Sequence, residues 1–296
     1  MNAAHPTETA IGIDIGGTKM ALAVVEGAGT VQARRSLPTE AEAGFDRAVA
    51  RLGEAIEALC AEAGLEPANL RGIGIGCAGP LDPVHGLINN PYTLAGWDRC
   101  DIVTPLRGRF GLHVRLENDA DAAALGECVA GAGRGFDPVV MLTLGTGVGG
   151  AAIVRGEIYR GADGEHPELG HLAVDPDGPE CYCGSRGCLE SLASGTALAA
   201  AGQPAGYTDA RAVFDAARSG EPTAQAILER AMAAAGAAAW TLFHTFLPQR
   251  LSSGAAWRRS TSTFTPPPFG RVWRGRPSSR RRRSRSCRRN WATRLA

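Results

Sequence analysis

One pattern, a glycine-rich turn between two apolar segments, occurs twice in this chain of 296 residues. The first turn is Gly16-Gly17-Thr18, and the second spans residues 145–150 with the sequence Gly-Thr-Gly-Val-Gly-Gly. The flanking apolar segments are residues 10–15 and 20–25 around the first turn, and 139–144 and 151–154 around the second. Two short apolar segments joined by such a turn predict a β-hairpin, so we expect two hairpins of the same kind.

Each turn gathers backbone N–H groups and a threonine hydroxyl at one place, because its glycines carry no side chains. Such an arrangement suits phosphate oxygens. An ordinary tight hairpin explains either turn alone equally well, but the repetition favours a phosphate site. Neither turn is a Walker loop, since the Gly-x-x-x-x-Gly-Lys-Ser/Thr spacing is absent. Neither is a dinucleotide fingerprint, since each turn joins strand to strand.

Strands and helices alternate along the rest of the chain. Residues 40–63 have apolar side chains at helical spacing and predict a long amphipathic helix, followed by a strand at 70–77. Residues 31–37 predict a third strand, and 114–117 a short strand that leads into a helix at about 120–130. This alternation is typical of an α/β protein. The length and a hydrophobic content of 44% suffice for one or two packed domains.

A cluster of acidic residues marks the predicted junction between the strand at 114–117 and its helix. Its sequence is Glu117-Asn118-Asp119-Ala120-Asp121. Asp119 can serve simply as a helix cap, where a carboxylate is favourable to the helix dipole. Alternatively, a carboxylate at a strand-to-helix junction can accept a proton from a substrate hydroxyl. The residues alone leave both interpretations open.

A histidine and three cysteines form the strongest local signal in the sequence. His171 precedes Cys181, Cys183 and Cys188, three cysteines within eight residues. One imidazole and three thiolates complete a tetrahedral zinc site and leave no position for water, so such a site would be structural. Chance clustering of buried cysteines is the alternative.

Two carboxylates, Glu168 and Glu190, lie on either side of this predicted zinc motif. A zinc ion would anchor the loops that carry them, and the two side chains can then hydrogen-bond to vicinal hydroxyls of a sugar. A lone glutamate on a loop is more often solvated surface.

These motifs, in this order and spacing, resemble the bacterial ROK (repressor, open reading frame, kinase) sugar kinases over about residues 10–250. The matching segments are Asp14-Ile15-Gly16-Gly17-Thr18-Lys19, Leu144-Gly145-Thr146-Gly147-Val148-Gly149, Glu168-Leu169-Gly170-His171 and Cys181-x-Cys183-Gly184-x-x-Gly187-Cys188-x-Glu190. The resemblance implies the two-lobed actin, hexokinase and Hsp70-like fold, which is ribonuclease H-like, with ATP and sugar meeting in the cleft. It also implies a homodimer.

The resemblance assigns roles to individual residues. It makes Asp119 the catalytic base and His171, Cys181, Cys183 and Cys188 the ligands of a structural Zn²⁺. The implied sugar ligands are Asn118, Glu168, His171 and Glu190. The residues implied to surround the ATP phosphates and Mg²⁺ are Asp14, Gly16, Gly17, Thr18, Lys19, Gly145, Thr146 and Gly147. The implied lobes are residues 1–118 and 119–250.

Glucose is the expected substrate. The short interval between His171 and Cys181 is more similar to the glucokinase members of the family than to the fructokinases or N-acetylhexosamine kinases. The segments Asn90-Pro91 and Gly96-Trp97-Asp98 are also more similar to the glucokinase members. A sugar-responsive repressor of the same family would carry a winged helix-turn-helix before the first motif, and only 13 residues precede Asp14 here. The implied reaction is transfer of the ATP γ-phosphate to the sugar 6-hydroxyl.

The charge distribution divides the chain into two compositions. Residues 251–296 contain 13 Arg and no Asp, Glu or Lys, which leaves the preceding part with 18 basic and 30 acidic residues. An Arg run can bind nucleic acid, but this tail also lacks the apolar periodicity of the helix and adenosine-binding glycines that the family places there. Residues 251–296 are therefore predicted to be aberrant and disordered.

A reading-frame shift near Arg250 explains the tail. If the codons of a GC-rich gene for residues 256–264 are read in a shifted frame, they can encode Val-Ala-Ala-Glu-His-Phe-Asp-Leu. The codons before them can encode Val-Leu-Gly-Gly-Gly, which is the glycine motif that the family has there. Lys19 is the only lysine among 31 basic residues, in keeping with such a gene.

The start of the chain resembles no signal peptide, and no segment reaches the apolar length of a membrane span, so a cytoplasmic protein is expected. Four other cysteines, Cys60, Cys77, Cys100 and Cys128, are scattered in a way that suits reduced thiols.

Overall fold

The computed structural model describes residues 8–27, 29–162 and 164–254. The described chain forms two compact units, of which the first ends at Gly131 and the second begins at Ala132. Sequence analysis places the division after residue 118, one helix earlier. The predicted frame-shifted segment from residue 255 onward lies outside the described residues.

The first unit contains eight of the described strands and three α-helices. They are β1 (Thr9–Ile15), β2 (Lys19–Glu26), β3 (Val31–Pro38), α1 (Phe45–Glu62), β4 (Ile73–Cys77), β5 (Leu81–Asp82), β6 (Leu87–Ile88), β7 (Cys100–Asp101), α2 (Val103–Phe110), β8 (Val114–Asn118) and α3 (Asp119–Ala130). Short 3₁₀ helices occupy Ala41–Ala43 and Pro67–Asn69.

The main sheet of this unit has the strand order β3-β2-β1-β4-β8. Strands β1, β2 and β3 form an antiparallel meander, and β1, β4 and β8 run parallel. In the parallel part, Ile15 pairs with Cys77 and Cys77 pairs with Asn118. The register therefore brings the carboxyl ends of three strands, and the loops that follow them, to one edge of the sheet.

The core of the first unit lies between this sheet and helix α1. Leu52, Ile56 and Leu59 on α1 have no exposed surface, and they recur at the helical spacing predicted from the sequence. The predicted helix at 40–63 is interrupted at Gly44, whose φ of 96° is unfavourable for a residue with a side chain. A 3₁₀ turn precedes this glycine, and α1 follows it.

The second unit contains the remaining four described strands and four α-helices. They are β9 (Val139–Leu144), β10 (Val148–Val154), β11 (Glu157–Ile158), α4 (Leu189–Ala193), α5 (Gly195–Gly202), α6 (Ala210–Arg218), α7 (Pro222–Phe246) and β12 (Arg250–Ser253). Further 3₁₀ helices lie at Leu169–His171 and Gln203–Ala205. The long helix α7 buries a face rich in alanine, which allows close packing in the core shared with α4 and α6.

The sheet of the second unit repeats the plan of the first. Its order is β11-β10-β9-β12, with β9, β10 and β11 antiparallel and β12 parallel to β9. This matches the order β3-β2-β1-β4, so the duplicated hairpins predicted from the sequence open two related sheets. Among the described residues, the second sheet has no counterpart of β8.

In the second unit, two boundaries differ from those predicted. Strand β10 begins at Val148, so the second turn is shorter than 145–150 and Gly149 and Gly150 belong to the strand. A Cβ atom on Gly150 would lie 2.8 Å from the carbonyl oxygen of Met141 and 2.9 Å from Leu169 Cδ1, so this glycine serves close packing. The aberrant tail was expected from residue 251, which is wrong for residues 251–253, because they pair with β9 as part of β12.

In the described part of the chain, no helix has the length and apolar character needed to cross a membrane.

Candidate active site

The first glycine turn closes on itself through a hydrogen bond from the Gly16 N–H to the Lys19 carbonyl at 3.0 Å. Within the described residues, the N–H groups of Gly17 and Thr18 donate to no backbone acceptor. The loop at Thr93 approaches so closely that a Cβ on Gly17 would lie 2.9 Å from the Thr93 carbonyl oxygen. Gly17 is therefore required by close backbone approach, and the turn keeps two N–H donors for an anion.

Replacing Gly17 with Ala is expected to destabilise the first unit by about 1–3 kcal/mol, because the new methyl group meets backbone that must shift. Urea denaturation of the purified variant measures this difference. Gly74→Ala is the matched control in strand β4, since its Cβ would meet no atom within 4 Å. Equal stability of the two variants would contradict the close approach described for Gly17.

Two carboxylates lie near the carboxyl end of β4. Burial raises the pKa of the Cys77 thiol to about 12, and the negative charges of Asp119 and Asp14 add to this effect. Asp14 belongs to β1, and desolvation raises the pKa of its carboxyl while the Lys19 ammonium partly lowers it. The first unit thus brings Asp14, Lys19, the first turn and Asp119 to the edge that the parallel strands define.

Asp119 is the first residue of helix α3, and Asn118 is its N-cap. The Asn118 Oδ1 atom accepts from the Ala120 N–H at 2.8 Å, and the Asp119 Oδ1 atom accepts from the same N–H at 2.7 Å. Capping by Asn118 therefore leaves Asp119 no need to act as the cap. Asn118 is thus the cap of helix α3, and Asp119, the first residue of the helix, is exposed.

The loop after β4 supports the edge of the sheet at which the three parallel strands end. The sequence analysis names its Asn90-Pro91 pair only as a feature shared with the glucokinase members. Asn90 is buried, and its amide donates to the Ala78 carbonyl at 3.1 Å and to Thr93 Oγ1 at 2.8 Å. Its Oδ1 atom accepts from the Thr93 N–H at 3.0 Å. Asn90 therefore fixes the segment that contacts Gly17. The Asn90-Pro91 pair was the available signal in the sequence.

The second turn lies in the second unit and also closes on itself through a backbone hydrogen bond, over one residue fewer than the first. The Gly145 N–H donates to the Gly147 carbonyl at 2.9 Å, and the N–H groups of Thr146 and Gly147 donate to no backbone acceptor among the described residues. The Val148 N–H donates to Glu190 Oε2 at 2.7 Å. One carboxylate oxygen of Glu190 is therefore bound to the turn, which sequence spacing did not reveal.

His171, Cys181, Cys183 and Cys188 are brought together as predicted, with their ligand atoms all within 4.8 Å of one another. The His171 Nδ1 atom lies 3.4 Å from the Cys181 sulfur, and the Cys183 and Cys188 sulfurs lie 3.6 Å apart. Two glycines shape the loop between them: Gly184 has a φ of 89°, and a Cβ on Gly187 would overlap the Asp175 carbonyl. Four potential metal ligands therefore converge in one place.

Glu168 immediately precedes the 3₁₀ turn that carries His171. The neighbouring His166 lowers the pKa of the Glu168 carboxyl and the nearby charge of His171 acts in the same direction, whereas desolvation opposes them. The His166 Nε2 atom lies 3.6 Å from Glu168 Oε1. The sequence analysis missed His166, although its i, i+2 spacing from Glu168 was the available signal. The second unit therefore gathers Glu168, His171 and Glu190 around the second turn and the Cys/His cluster.

Comparisons with known proteins agree with these motifs. The model of the ROK family matches residues 10–255. A glucokinase from Thermotoga maritima is 36% identical over 267 residues, covering 84% of this chain and 82% of the relative. An N-acetylmannosamine kinase from Escherichia coli is 37% identical over 224 residues, covering 75% and 74% respectively.

A solved structure is also similar. A ROK family glucokinase from Streptomyces griseus, in complex with glucose and AMPPNP, has a TM-score of 0.65 and 34% identity, with 85% of this chain and 84% of that chain covered. The family model spans more than half of the described residues, and its motifs occupy the turns and clusters described above. The chain therefore belongs to the ROK family.

Proposed function

We propose that this protein phosphorylates the 6-hydroxyl of a hexose with ATP, and that glucose is the preferred hexose. The observation that carries the proposal is the pair of glycine turns, each with unused N–H donors and each accompanied by carboxylates, in a chain of the ROK family. Phosphoryl transfer needs little covalent chemistry from the protein. It requires positioning of the two substrates and neutralisation of phosphate charge.

Each named residue has a role in this proposal. Asp119 accepts the proton of the sugar 6-hydroxyl, a role for which an exposed carboxylate at the start of a helix is suited. Four side chains bind the sugar hydroxyls: Glu168, His171, Glu190 and Asn118. The Val148 N–H and the Tyr182 side chain both hydrogen-bond to Glu190, and these contacts orient the carboxylate that would bind the sugar.

The phosphates of ATP bind the N–H groups of the two turns and the Lys19 ammonium. The negative potential that Asp14 and Asp119 create at the end of β4 suits a divalent cation, and Asp14 is the residue that would hold Mg²⁺. When bound, Mg²⁺ neutralises charge on the phosphate oxygens. Partial burial raises the pKa of the Asp14 carboxyl although the residue is exposed overall, and a bound cation would favour its charged form.

The Cys/His cluster fits zinc. Zinc bonds of about 2.0–2.3 Å in tetrahedral geometry place ligand atoms about 3.5–3.8 Å apart. The observed separations of 3.4 Å for His171 and Cys181 and 3.6 Å for Cys183 and Cys188 are close to these values. We infer that the zinc is structural and fixes the orientation of His171, whose other ring nitrogen can meet a sugar oxygen.

Replacing Cys183 with Ser is expected to remove most of the bound zinc, because the metal loses one of four ligands. The loops that carry Glu168 and Glu190 should loosen, so glucose binding should weaken along with thermal stability. Elemental analysis and glucose titration measure the two effects. Cys100→Ser, outside the cluster, is the control and should retain the metal. Absence of zinc from the unmodified protein would contradict the assignment.

The choice of sugar is tested with a panel. Glucose-dependent ADP release should exceed release with fructose, N-acetylglucosamine and N-acetylmannosamine at equal concentration. The similarity to an N-acetylmannosamine kinase makes that sugar the second candidate. A higher kcat/KM for N-acetylmannosamine than for glucose would overturn the preference but leave the kinase assignment in place. The homodimer and the cytoplasmic location remain predictions.

A further inference from the structure

Thr39 contacts the first turn from a distant part of the sequence. It follows strand β3 directly and has no exposed surface. Its N–H donates to the Thr18 carbonyl at 3.0 Å, and its hydroxyl donates to the Gly16 carbonyl at 2.6 Å. Two carbonyl oxygens of the turn are therefore bound by one residue.

The segment around Thr39 is itself held in place. Arg51 on helix α1 donates to the Pro38 carbonyl at 2.7 Å and to Glu40 Oε2 at 2.8 Å. The indole N–H of the fully buried Trp97 donates to the Ala41 carbonyl at 3.3 Å. Thr39 is thus fixed on both sides, which gives its bonds to the turn a defined direction.

Thr196 makes the equivalent contact with the second turn. It lies in the first turn of helix α5, and its N–H and hydroxyl both donate to the Thr146 carbonyl, at 3.2 Å and 2.9 Å. The preceding Gly195 N–H donates to the Gly145 carbonyl at 2.8 Å. Two unrelated segments, a strand end and a helix start, therefore bind the carbonyls of the two turns in the same manner.

The shared geometry has an electrostatic consequence. A backbone turn binds an anion only if its N–H groups face the anion and its carbonyl oxygens, which carry partial negative charge, face away. We propose that Thr39 and Thr196 are positioning residues that hold the carbonyls of the two turns away from the phosphates of the nucleotide. The N–H groups of Gly17 and Thr146 then remain directed toward the phosphates. This inference rests on the proposed function.

The test uses the full chain and the probe Mg²⁺–tripolyphosphate, which offers phosphate oxygens without adenosine. Thr39→Val removes the hydroxyl and keeps the shape, so affinity for the probe should fall about 5–10-fold, the usual worth of one hydrogen bond. Affinity for glucose should change less than about twofold. Thr39→Ser restores the hydroxyl and should recover most of the affinity. Isothermal titration measures both ligands.

Thr196→Val should lower the affinity for the probe in the same way. If Thr39→Val does not fold, Thr196→Val alone tests the positioning role. Thr241→Val is the matched control, because its hydroxyl donates to the Ala237 carbonyl within helix α7 and not to a carbonyl of either turn. Unchanged probe affinity in Thr39→Val and Thr196→Val would overturn the proposal. So would an equal loss of glucose affinity, which indicates a general structural role.

The failure of this inference can be told apart from failure of the proposed function. If the unmodified chain binds the probe and the valine variants bind it equally well, only the positioning role is wrong. If the unmodified chain binds no Mg²⁺–tripolyphosphate, the phosphate turns themselves are wrong, and the proposed function falls with the positioning role.

Discussion

Replacement of Asp119 by Asn is expected to lower the rate of glucose phosphorylation by about 10²–10⁴-fold, the usual contribution of a general base. The amide keeps the shape of the carboxylate but accepts no proton. Its oxygen can still accept from the Ala120 N–H, and Asn118 still caps helix α3, so the fold should persist. The KM for glucose should change much less than kcat. Steady-state kinetics on an in-frame version of the protein provide the measurement.

Asp46→Asn is the matched control for this variant. Asp46 also stands in the first turn of a helix, α1, in the same unit, and it has no proposed catalytic role. Both substitutions remove one charge that is favourable to a helix dipole, so any shared loss of stability is accounted for. Near-normal kcat in Asp119→Asn would exclude Asp119 as the base.

Restoration of the reading frame near Arg250 is expected to raise kinase activity from a defective level to that of a working enzyme. ATP must be bound at both its phosphate and adenosine ends, and in the proposed function the two glycine turns bind only the phosphates. Where the family resemblance places a glycine motif and a final helix, residues 255–296 carry Pro266-Pro267-Pro268 and an Arg run. ADP release with glucose, measured on both proteins at equal concentration, tests the expectation.

A chain that ends after Gly254 separates two causes of the defect. If this shortened chain is as inactive as the full chain, the missing adenosine-binding segment causes the defect. If it recovers activity, the Arg-rich segment itself causes the defect. The full chain should also aggregate more readily than the restored one, because apolar surface is left uncovered. Equal activity and solubility of the full and restored chains would show that the frame-shift account is wrong.

Much of the fold follows from local pattern. The hairpin around Gly16 and Gly17 and the strand Val139–Leu144 are predicted within a residue or two, because alternating apolar residues and glycine turns are local signals. The break at Gly44 was missed, since the apolar periodicity continues through it. Gly150 was assigned to a turn, although its role in packing against Leu169 depends on a contact far along the chain.

In the candidate site too, contacts between residues close in sequence are predictable and contacts between distant residues are not. The Cys181, Cys183 and Cys188 cluster is visible because its ligands are close in sequence. The bonds from Thr39 to Gly16 and from Val148 to Glu190 join residues 23 and 42 positions apart, and no local rule predicts them. On composition, residues 251–253 are expected in the aberrant tail, but they pair with β9, and this pairing outweighs a weak strand propensity.

The most direct test of the central claim is identification of the product. The frame-restored protein is incubated with glucose and Mg²⁺–ATP, and glucose 6-phosphate is measured with a dehydrogenase specific for that ester, alongside ADP. Equal amounts of the two products, with both nearly abolished by Asp119→Asn, are the expected result. ADP release without glucose 6-phosphate, or phosphorylation at another hydroxyl, would contradict the assignment of this protein as a hexose 6-kinase.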